Sequence, residues 1–227
     1  MKILGIDTSA QTASTCVCED GKIIISSSLN TGLTHSQTLL PMIESMLLSA
    51  KMSLSDIDVF AVSNGPGSFT GIRIGVSAIK GFAFAENKLC IGVSTLKALA
   101  YNMDGFDGII CPCMDARRNQ VYNALFENNE RITNDRAISV EELREDLLKY
   151  QDKNIWLVGD GAELVYNKLK DEIKKIKLAP ITLRLQLASS VCMCAQSEKQ
   201  VSPNELLPSY LRLSQAERER AEKLNEN

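Results

Sequence analysis

One stretch of the sequence, "GIDTS", has residue types and spacing that could bind a phosphate. Asp7 ends an apolar run and is followed directly by Thr8 and Ser9. A carboxylate at a strand end can position a metal-bridged phosphate, and the two hydroxyls can donate hydrogen bonds to it. The alternative is that Asp7 only begins an Asx-turn, in which its side chain accepts a hydrogen bond from its own backbone. Both interpretations stay open on these residues.

A second stretch, "NGPGSFTGIRIG", is a glycine-rich turn that leads into a helix. The Walker phosphate motif ends in Gly-Lys-Ser/Thr, whereas Gly71 is followed by Ile-Arg. Gly65, Gly67 and Gly71 also miss the dinucleotide spacing by one residue. Two interpretations remain: an anion binds at the helix N-terminus beside Ser68, or the turn simply requires glycine backbone angles.

A third stretch, "DARR", occupies the place in the second half that "DTS" occupies in the first. Both "ILGIDTSAQTASTCVC" and "IICPCMDARRNQVYNALF" run an apolar strand into an aspartate, a polar turn and a returning strand, so Asp115 matches Asp7. The second turn has no glycine, but Arg117 or Arg118 could contact an anion. We therefore expect no cofactor beyond weak binding of ATP or ADP.

The elements that must position these residues repeat in two halves on either side of "NMDGFDG". Each half begins with antiparallel strands and continues with alternating helices and strands. This pattern predicts a duplicated α/β fold of the two-lobe actin/hexokinase-like type (ASKHA, ribonuclease H-like), with a mixed sheet in each lobe. We predict an N-terminal, dimerising lobe at 1–102 and a C-terminal lobe at 103–204. A helix at about 205–227 is expected to pack back on the first lobe.

Two predicted helices of the first half, at about 36–50 and 70–85, are apolar on more than one face. Such a helix lies in the centre of a core or is covered by a partner, and two of them exposed side by side would form a patch that monomers avoid. Core and interface remain equal alternatives on these residues. The candidate interface residues are Leu39, Ile43, Met46, Leu47, Gly71, Ile72, Gly75, Val76, Ile79 and Phe82.

Composition narrows the functional class of the chain. Its 227 residues are 44% hydrophobic, which is enough for a sizeable core. The net charge of −3 argues against binding of nucleic acid by the chain alone. No apolar run approaches a membrane span or a signal core, so we expect a soluble cytoplasmic protein with no membrane partner. Three C-x-C pairs and a lone cysteine lack metal-site spacing, and we expect buried thiols and no metal.

These stretches together resemble the TsaB (YeaZ) family, the partner subunit in bacterial synthesis of threonylcarbamoyladenosine in tRNA. The matching segments are "ILGIDTSAQTAS", "THSQTLLPMIESML", "VSNGPGSFTGIRIGVSAIKGFAFA", "IGVSTLKALA", "MDARRNQVYNALF" and "LPSYLR". The family is a shortened relative of TsaD, the catalytic subunit that transfers the threonylcarbamoyl group to adenosine. The resemblance implies that the GPG turn keeps the geometry of the fold and that the first-half helices serve association.

The resemblance also implies that catalytic residues and metal ligands are missing from this chain. TsaD-like proteins carry two metal-binding histidines in N-H-x-E-G-H, where this sequence reads "STLKAL", with Thr95 and Leu99 in their places. The only histidine, His35, is expected to be a cap or turn residue. The implied function is a non-catalytic subunit that pairs with TsaD, is joined by TsaE, meets tRNA only through the complex, and forms a homodimer when alone.

Two other classes of function remain as alternatives. A stand-alone nucleotide-dependent kinase of the same superfold would use Asp7, Thr8, Ser9 and the GPG turn. A remnant metalloprotease would need a metal dyad or a nucleophile–base pair, and neither is evident in the sequence. Calorimetry with ATP and magnesium, and zinc analysis of the purified protein, would distinguish these alternatives.

Overall fold

The computed structural model describes residues 1–212, and its first sheet is built from the first 94 of them. The strand order is β3-β2-β1-β4-β5. The strands are Lys2–Asp7 (β1), Ala13–Glu19 (β2), Lys22–Leu29 (β3), Val59–Gly65 (β4) and Leu89–Ser94 (β5). β1 is antiparallel to β2 and parallel to β4, and β4 is parallel to β5, so the sheet is mixed.

The second sheet repeats this order as β10-β7-β6-β11-β12, with β8 and β9 attached to β6. Its strands are Ile109–Asp115 (β6), Gln120–Asn123 (β7), Phe126–Glu127 (β8), Glu130–Arg131 (β9), Arg136–Ser139 (β10), Ile155–Val158 (β11) and Ile176–Leu178 (β12). β6 is antiparallel to β7 and parallel to β11, as β1 is to β2 and β4. The duplicated two-lobe α/β fold is therefore confirmed.

Within residues 1–212, six α-helices cover the sheets. They are His35–Ser49 (α1), Phe69–Glu86 (α2), Thr95–Tyr101 (α3), Val140–Leu148 (α4), Ala162–Leu169 (α5) and Ala188–Ala195 (α6). α1 and α2 pack on one face of the first sheet, and α6 packs on the other. Among residues 1–212, no helix combines the length and the apolar character that crossing a bilayer requires.

The alternation of side chains along β1 explains why this strand is apolar throughout. Leu4 and Ile6 face α1 and α2, whereas Ile3 faces α6. Successive residues of a strand point to opposite faces, and here helices cover both faces. β1 is consequently a central strand, and it delivers Asp7 to the edge where the two lobes meet.

The structure differs from the predicted lobe boundaries at α6. This helix comes from the range 103–204 that we assigned to the C-terminal lobe, yet it packs on β1 and β2 of the first sheet. The contact is close because a Cβ placed on Gly5 would lie 2.6 Å from Cys192 Sγ. The chain thus crosses back to the first lobe before residue 204, which sequence proximity could not indicate.

The predicted helix at about 205–227 is wrong for its described part. Residues 205–212 are not helical and run along the first lobe, with Leu206 buried in its core. Pro203 and Pro208 explain the difference, because proline has no N–H to donate and disfavours the helical conformation of the residue before it. Residues 213–227 lie outside the described part of the chain.

Candidate functional site

A cleft of about 450 Å³ opens between the lobes, at the edge where β1 and β6 end. Polar and aromatic side chains from both lobes and from the C-terminal segment line it. They include Ser9, Gln11, Ser68, Phe69, Asp115, Arg117, Tyr122, Asp160, Tyr210 and Arg212. This cleft is the place where the fold brings together the stretches that the sequence singled out.

Asp7 and Asp115 begin the same kind of turn at the ends of matching strands. Asp7 Oδ1 accepts a hydrogen bond from the Ser9 N–H at 2.8 Å, and Asp115 Oδ1 accepts one from the Arg117 N–H at 2.7 Å. In both turns the carboxylate bonds the backbone two residues further on, which is the Asx geometry. The internal repeat therefore extends to the individual hydrogen bond.

Asp7 does not line the cleft. Its side chain is 1% exposed and accepts hydrogen bonds from the hydroxyls of Ser9, at 2.7 Å, and Ser63. Burial raises the pKa of this carboxyl above its usual range, although the hydrogen bonds from Ser63 and Ser9 oppose the rise. The carboxylate is thus occupied within the first lobe, which corrects its assignment as a residue that meets a phosphate.

Only half of the eight predicted anion-binding residues lie in the cleft. Ser9, Gly67, Ser68 and Arg117 line it. The buried Thr8 hydroxyl instead donates to the Gly71 carbonyl at 2.7 Å, and Arg118 lies in a turn outside the cleft lining. A Cβ on Gly65 would lie 2.1 Å from the Ser209 carbonyl oxygen, so this glycine admits the C-terminal segment rather than a ligand.

The glycine turn is packed directly on the segment that follows β1. The Ser68 N–H donates to the Ser9 carbonyl at 2.7 Å, and the Ser68 hydroxyl accepts from the Gly71 N–H at 3.2 Å, which caps α2. A Cβ on Gly67 would lie 2.5 Å from the Ser9 carbonyl oxygen, and one on Gly71 would lie 2.0 Å from that of Thr8. The geometry favours the interpretation that glycine is needed for close packing, because the Ser68 amide is already bonded.

The electrostatics of the cleft oppose a bare anion. Burial raises the pKa of Asp160, and the nearby charge of Asp115 adds to the rise, while a hydrogen bond from Gln186 Nε2 at 3.1 Å opposes it. Arg117 Nη1 lies 3.2 Å from Asp115 Oδ2, and Arg212 Nη1 donates to the Ala116 carbonyl at 2.9 Å. A phosphate entering the cleft would meet two carboxylates beside arginines that already have partners.

The two positions that the resemblance aligns with metal-binding histidines lie in the interior. Thr95 and Leu99 on α3 are 0% and 1% exposed, and Leu99 packs with Met114 and Val158. His35 is not the cap or turn residue that we expected: it is the first residue of α1 after the N-cap Thr34, and its Nε2 lies 2.6 Å from the Ala10 carbonyl oxygen at the cleft rim. No group of three His, Cys, Asp or Glu suited to a metal ion occurs within residues 1–212.

Nine of the ten predicted interface residues are buried in the core of the first lobe, which corrects that prediction. The inner stripes of α1 and α2 pack on the sheet, and of these nine residues Leu39, Ile43, Met46 and Leu47 also reach the lining of surface depressions. The buried nine are Leu39, Ile43, Met46, Leu47, Gly71, Ile72, Gly75, Val76 and Ile79. Phe82 alone is partly exposed. Both helices are apolar on two faces, and the sequence pattern does not indicate which of the two faces packs on the sheet.

The outer faces of α1 and α2 form an apolar groove whose residues, apart from the partly exposed Phe82, were not among our candidates. Two adjoining depressions of about 600 and 390 Å³ share Leu40. We call this surface the α1–α2 groove and define it by Leu40, Leu48, Phe69, Arg73, Ile74, Ala78 and Phe82. Leu40 is 53% and Leu48 77% exposed. The available signal was that Leu40, Leu48, Ile74 and Ala78 are apolar but lie off the main stripe of each helix.

Comparisons with known proteins point to one family. The model of the family "TsaD: tRNA N6-adenosine threonylcarbamoyltransferase" matches residues 30–219. The tRNA threonylcarbamoyladenosine biosynthesis protein TsaB of Bacillus subtilis (strain 168) is 30% identical over 222 residues, 96% of each chain. TsaB of Escherichia coli (strain K12) is 36% identical over 132 residues, 57% of each chain. The solved structure of YeaZ from Pseudomonas aeruginosa has a TM-score of 0.73 at 23% identity, covering 92% of this chain and 99% of that one.

Proposed function

The chain belongs to the TsaB (YeaZ) family of tRNA threonylcarbamoyladenosine biosynthesis proteins, and from that premise we propose that it is a non-catalytic subunit that pairs with TsaD. In this role it docks on the catalytic subunit and supports its active conformation. The observation that carries the proposal is that Thr95 and Leu99 of α3 are buried core residues, at the two positions where the resemblance to TsaD implies metal-binding histidines in the catalytic subunit.

The residues of this chain do not fit the metal of the catalytic relative. A leucine side chain has no donor atom, and a neutral threonine hydroxyl is a poor substitute for an imidazole nitrogen. The Thr95 hydroxyl is buried without a hydrogen-bond partner in the described residues, and Leu99 fills the space beside it with core packing. The contribution of the chain in our proposal is therefore binding and support of the catalytic subunit.

The α1–α2 groove supports docking. It exposes Leu40 and Leu48 and presents Ile74, Ala78 and Phe82 as half-buried apolar side chains. An amphipathic helix binds such a groove by inserting side chains at i, i+3, i+4 and i+7, and burial of the patch removes apolar surface that a monomer avoids exposing. TsaD docks here in our proposal, and a second copy of the chain occupies the same groove when TsaD is absent, because a twofold pair uses one patch twice.

The remaining partners and ligands follow from the same arrangement. TsaE joins the assembled pair, and tRNA is met only through the complex, since the chain carries a net charge of −3. Weak binding of ATP or ADP in the interlobe cleft is supported by the Ser68 hydroxyl, which accepts a hydrogen bond from the Gly71 N–H and keeps its own proton to donate, and by the exposed guanidinium of Arg117. The carboxylates of Asp115 and Asp160 keep that binding weak.

The test of this function is complex formation in solution. The purified chain and its cognate TsaD are run alone and mixed on size exclusion with light scattering. We expect a new species with the summed mass of one copy of each protein, and a dimer mass for the chain alone. Two unchanged profiles after mixing at concentrations well above micromolar would contradict the proposed pairing.

A further inference from the structure

Residues 202–212, here called the strap, join the two lobes along one wall of the cleft. The strap begins beside β5, where Val201 forms an antiparallel bridge with Cys90. The Ser209 N–H then donates to the Asn64 carbonyl at 2.7 Å. At its far end Arg212 donates to the Ala116 carbonyl of the second lobe at 2.9 Å. The strap is therefore tied to both lobes and forms part of the cleft lining.

Tyr210 of the strap holds Arg73 of α2 together with Phe69. The rings of Phe69 and Tyr210 stack with centroids 4.4 Å apart at 24°. The Arg73 guanidinium carbon lies 3.9 Å from the Phe69 centroid, and Arg73 Nε donates to the Tyr210 hydroxyl at 2.9 Å. A cation over an aromatic face is attracted by the quadrupole of the ring. The arginine is thus fixed by stacking on one side and by a hydrogen bond at its Nε.

The held arginine lies in the α1–α2 groove with unused hydrogen-bonding capacity. Its side chain is exposed at the groove, between Phe69 and Ile74. Within residues 1–212 its two Nη groups make no hydrogen bond, and no carboxylate lies within 4.0 Å of them. A guanidinium whose rotamer is already fixed loses little freedom when it binds a carboxylate through two parallel hydrogen bonds.

We propose that Arg73 is the charged anchor of the docking groove, that it binds an Asp or Glu side chain of TsaD, and that Tyr210 is its positioning residue. This inference rests on the proposed function and adds the chemistry of the contact. Charge complementarity supports a carboxylate at this point, because the lining of this depression within residues 1–212 contains the Arg73 guanidinium and no acidic side chain. Glu44 lies at the far end of the groove and would repel a carboxylate placed there. A helix docked in the reverse direction, with its acidic residue beside Glu44, would therefore bind more weakly.

The anchor also couples docking to the cleft. Phe69 lines both the groove and the cleft, and Tyr210 lines the cleft while it holds Arg73. Because Tyr210 belongs to the strap, a partner carboxylate that fixes Arg73 should also stabilise the strap in the position that the structure shows. Coupling free energies are reciprocal, so a strap held in this position should raise the affinity for the partner.

The test measures the affinity of the full-length chain for purified cognate TsaD by calorimetry at low and high salt. Arg73→Gln should weaken binding about tenfold and flatten its salt dependence. Arg73→Lys should not restore the affinity, since a lysine lacks the planar fork. Tyr210→Phe should weaken binding about threefold, because it keeps the ring but removes the hydroxyl that orients Arg73. The matched control is Arg144→Gln, an exposed arginine paired with Glu172 in the second lobe.

Hydrogen exchange supplies a readout that a purely structural role of Arg73 would not move. The Ser209 amide should exchange more slowly in the complex than in the free chain, and Arg73→Gln should abolish this slowing while the fold stays intact. An Arg73→Gln chain that binds TsaD with unchanged affinity and unchanged salt dependence would overturn the proposed anchor. It would also be overturned if Arg73→Gln weakened only the homodimer, because the groove would then bind a second copy of the chain. If the wild-type chain forms no complex, the proposed function fails first and the anchor fails with it.

Discussion

The main-chain N–H of Ser68 donates a 2.7 Å hydrogen bond to the carbonyl oxygen of Ser9, and this bond closes the glycine turn on the segment after β1. It joins the two stretches that the sequence singled out as phosphate-binding candidates. The bond uses a donor that an anion would need, and it brings the start of α2 against the end of β1. The turn is accordingly a packing device at the edge of the cleft.

The first prediction concerns the glycines of α2. Gly71→Ala should lower the free energy of unfolding by about 3 kcal/mol, because the added Cβ meets the Thr8 carbonyl oxygen and neither backbone can shift freely. Gly81 is the matched control, since it is exposed on the same helix and has no atom within 4 Å of a Cβ. Gly81→Ala should raise stability by about 0.5–1 kcal/mol. Urea unfolding measures both, and equal effects would contradict the packing argument.

The second prediction separates docking from folding. Leu40→Glu should leave the chain folded and weaken its complex with TsaD at least about tenfold, because Leu40 is exposed in the middle of the α1–α2 groove. Ile72→Glu should prevent folding, since Ile72 is 0% exposed. Ile181→Glu, which changes an isoleucine that is 70% exposed outside the groove, is the control for added charge. Circular dichroism and calorimetry give the two readouts. A Leu40→Glu chain that binds as tightly as wild type would exclude the groove.

The sequence predicts the architecture well because both halves repeat one pattern. The apolar run that ends at Asp7 and the one that ends at Asp115 become central strands with the same neighbours and the same turn. A strand that is buried on both faces is apolar at nearly every position, and such a run is easily recognised in the sequence. The return of α6 to the first sheet leaves no such signal, because it depends on a contact between Gly5 and Cys192, far apart in the chain.

The third prediction concerns the pH dependence of stability. Burial raises the pKa of Asp7 in the folded state, so the folded state favours the protonated carboxyl. The stability that this carboxyl contributes is fully present below the unfolded pKa of about 3.9 and is lost as pH rises through the folded pKa. Asp7→Asn keeps acceptors for Ser9 but cannot ionise. The difference in unfolding free energy, wild type minus Asp7→Asn, should therefore fall as pH rises above about 4.

Chemical denaturation from pH 3.5 to 8 measures this difference, and the other carboxyls cancel because both proteins contain them. Ser63→Ala removes a hydrogen bond that lowers the pKa of Asp7, so the pKa of Asp7 in the folded state should rise further. The stability contributed by the Asp7 carboxyl should then be retained to higher pH. A difference that stays constant or grows with pH would show that the Asp7 carboxyl is not held in a raised-pKa environment.

The fourth prediction concerns the cleft. Asp160→Asn should strengthen the binding of ATP in the absence of metal by about three- to tenfold, because it removes a negative charge from the lining of the cleft in which we propose that ATP binds. Asp171→Asn changes an exposed aspartate outside the cleft lining and should leave binding unaltered. Titration calorimetry gives both affinities. Weaker binding in Asp160→Asn would mean that this carboxylate helps to hold the ligand.

The site could be predicted only in part because local pattern does not report which face of an element is covered. Ser9, Ser68 and Arg117 reach the cleft as expected, whereas the Thr8 hydroxyl is bonded to the Gly71 carbonyl. The sequence pattern is the same whether a hydroxyl at the end of a strand lines the cleft or is hydrogen-bonded within the lobe. The strap residue Tyr210 lies in "LPSYLR", one of the segments that carry the family resemblance, but its role could not be predicted because it depends on its position over Phe69.

The most direct test of the central claim is a reconstituted tRNA modification assay with the chain alone, its cognate TsaD alone, and the two together with TsaE. The threonylcarbamoyl donor is supplied, and modified adenosine in the tRNA is quantified by mass spectrometry. We expect none from the chain alone and a yield from the mixture that clearly exceeds that of the same mixture without the chain. Modified tRNA produced by the isolated chain, or a TsaD yield that does not respond to it, would contradict the account.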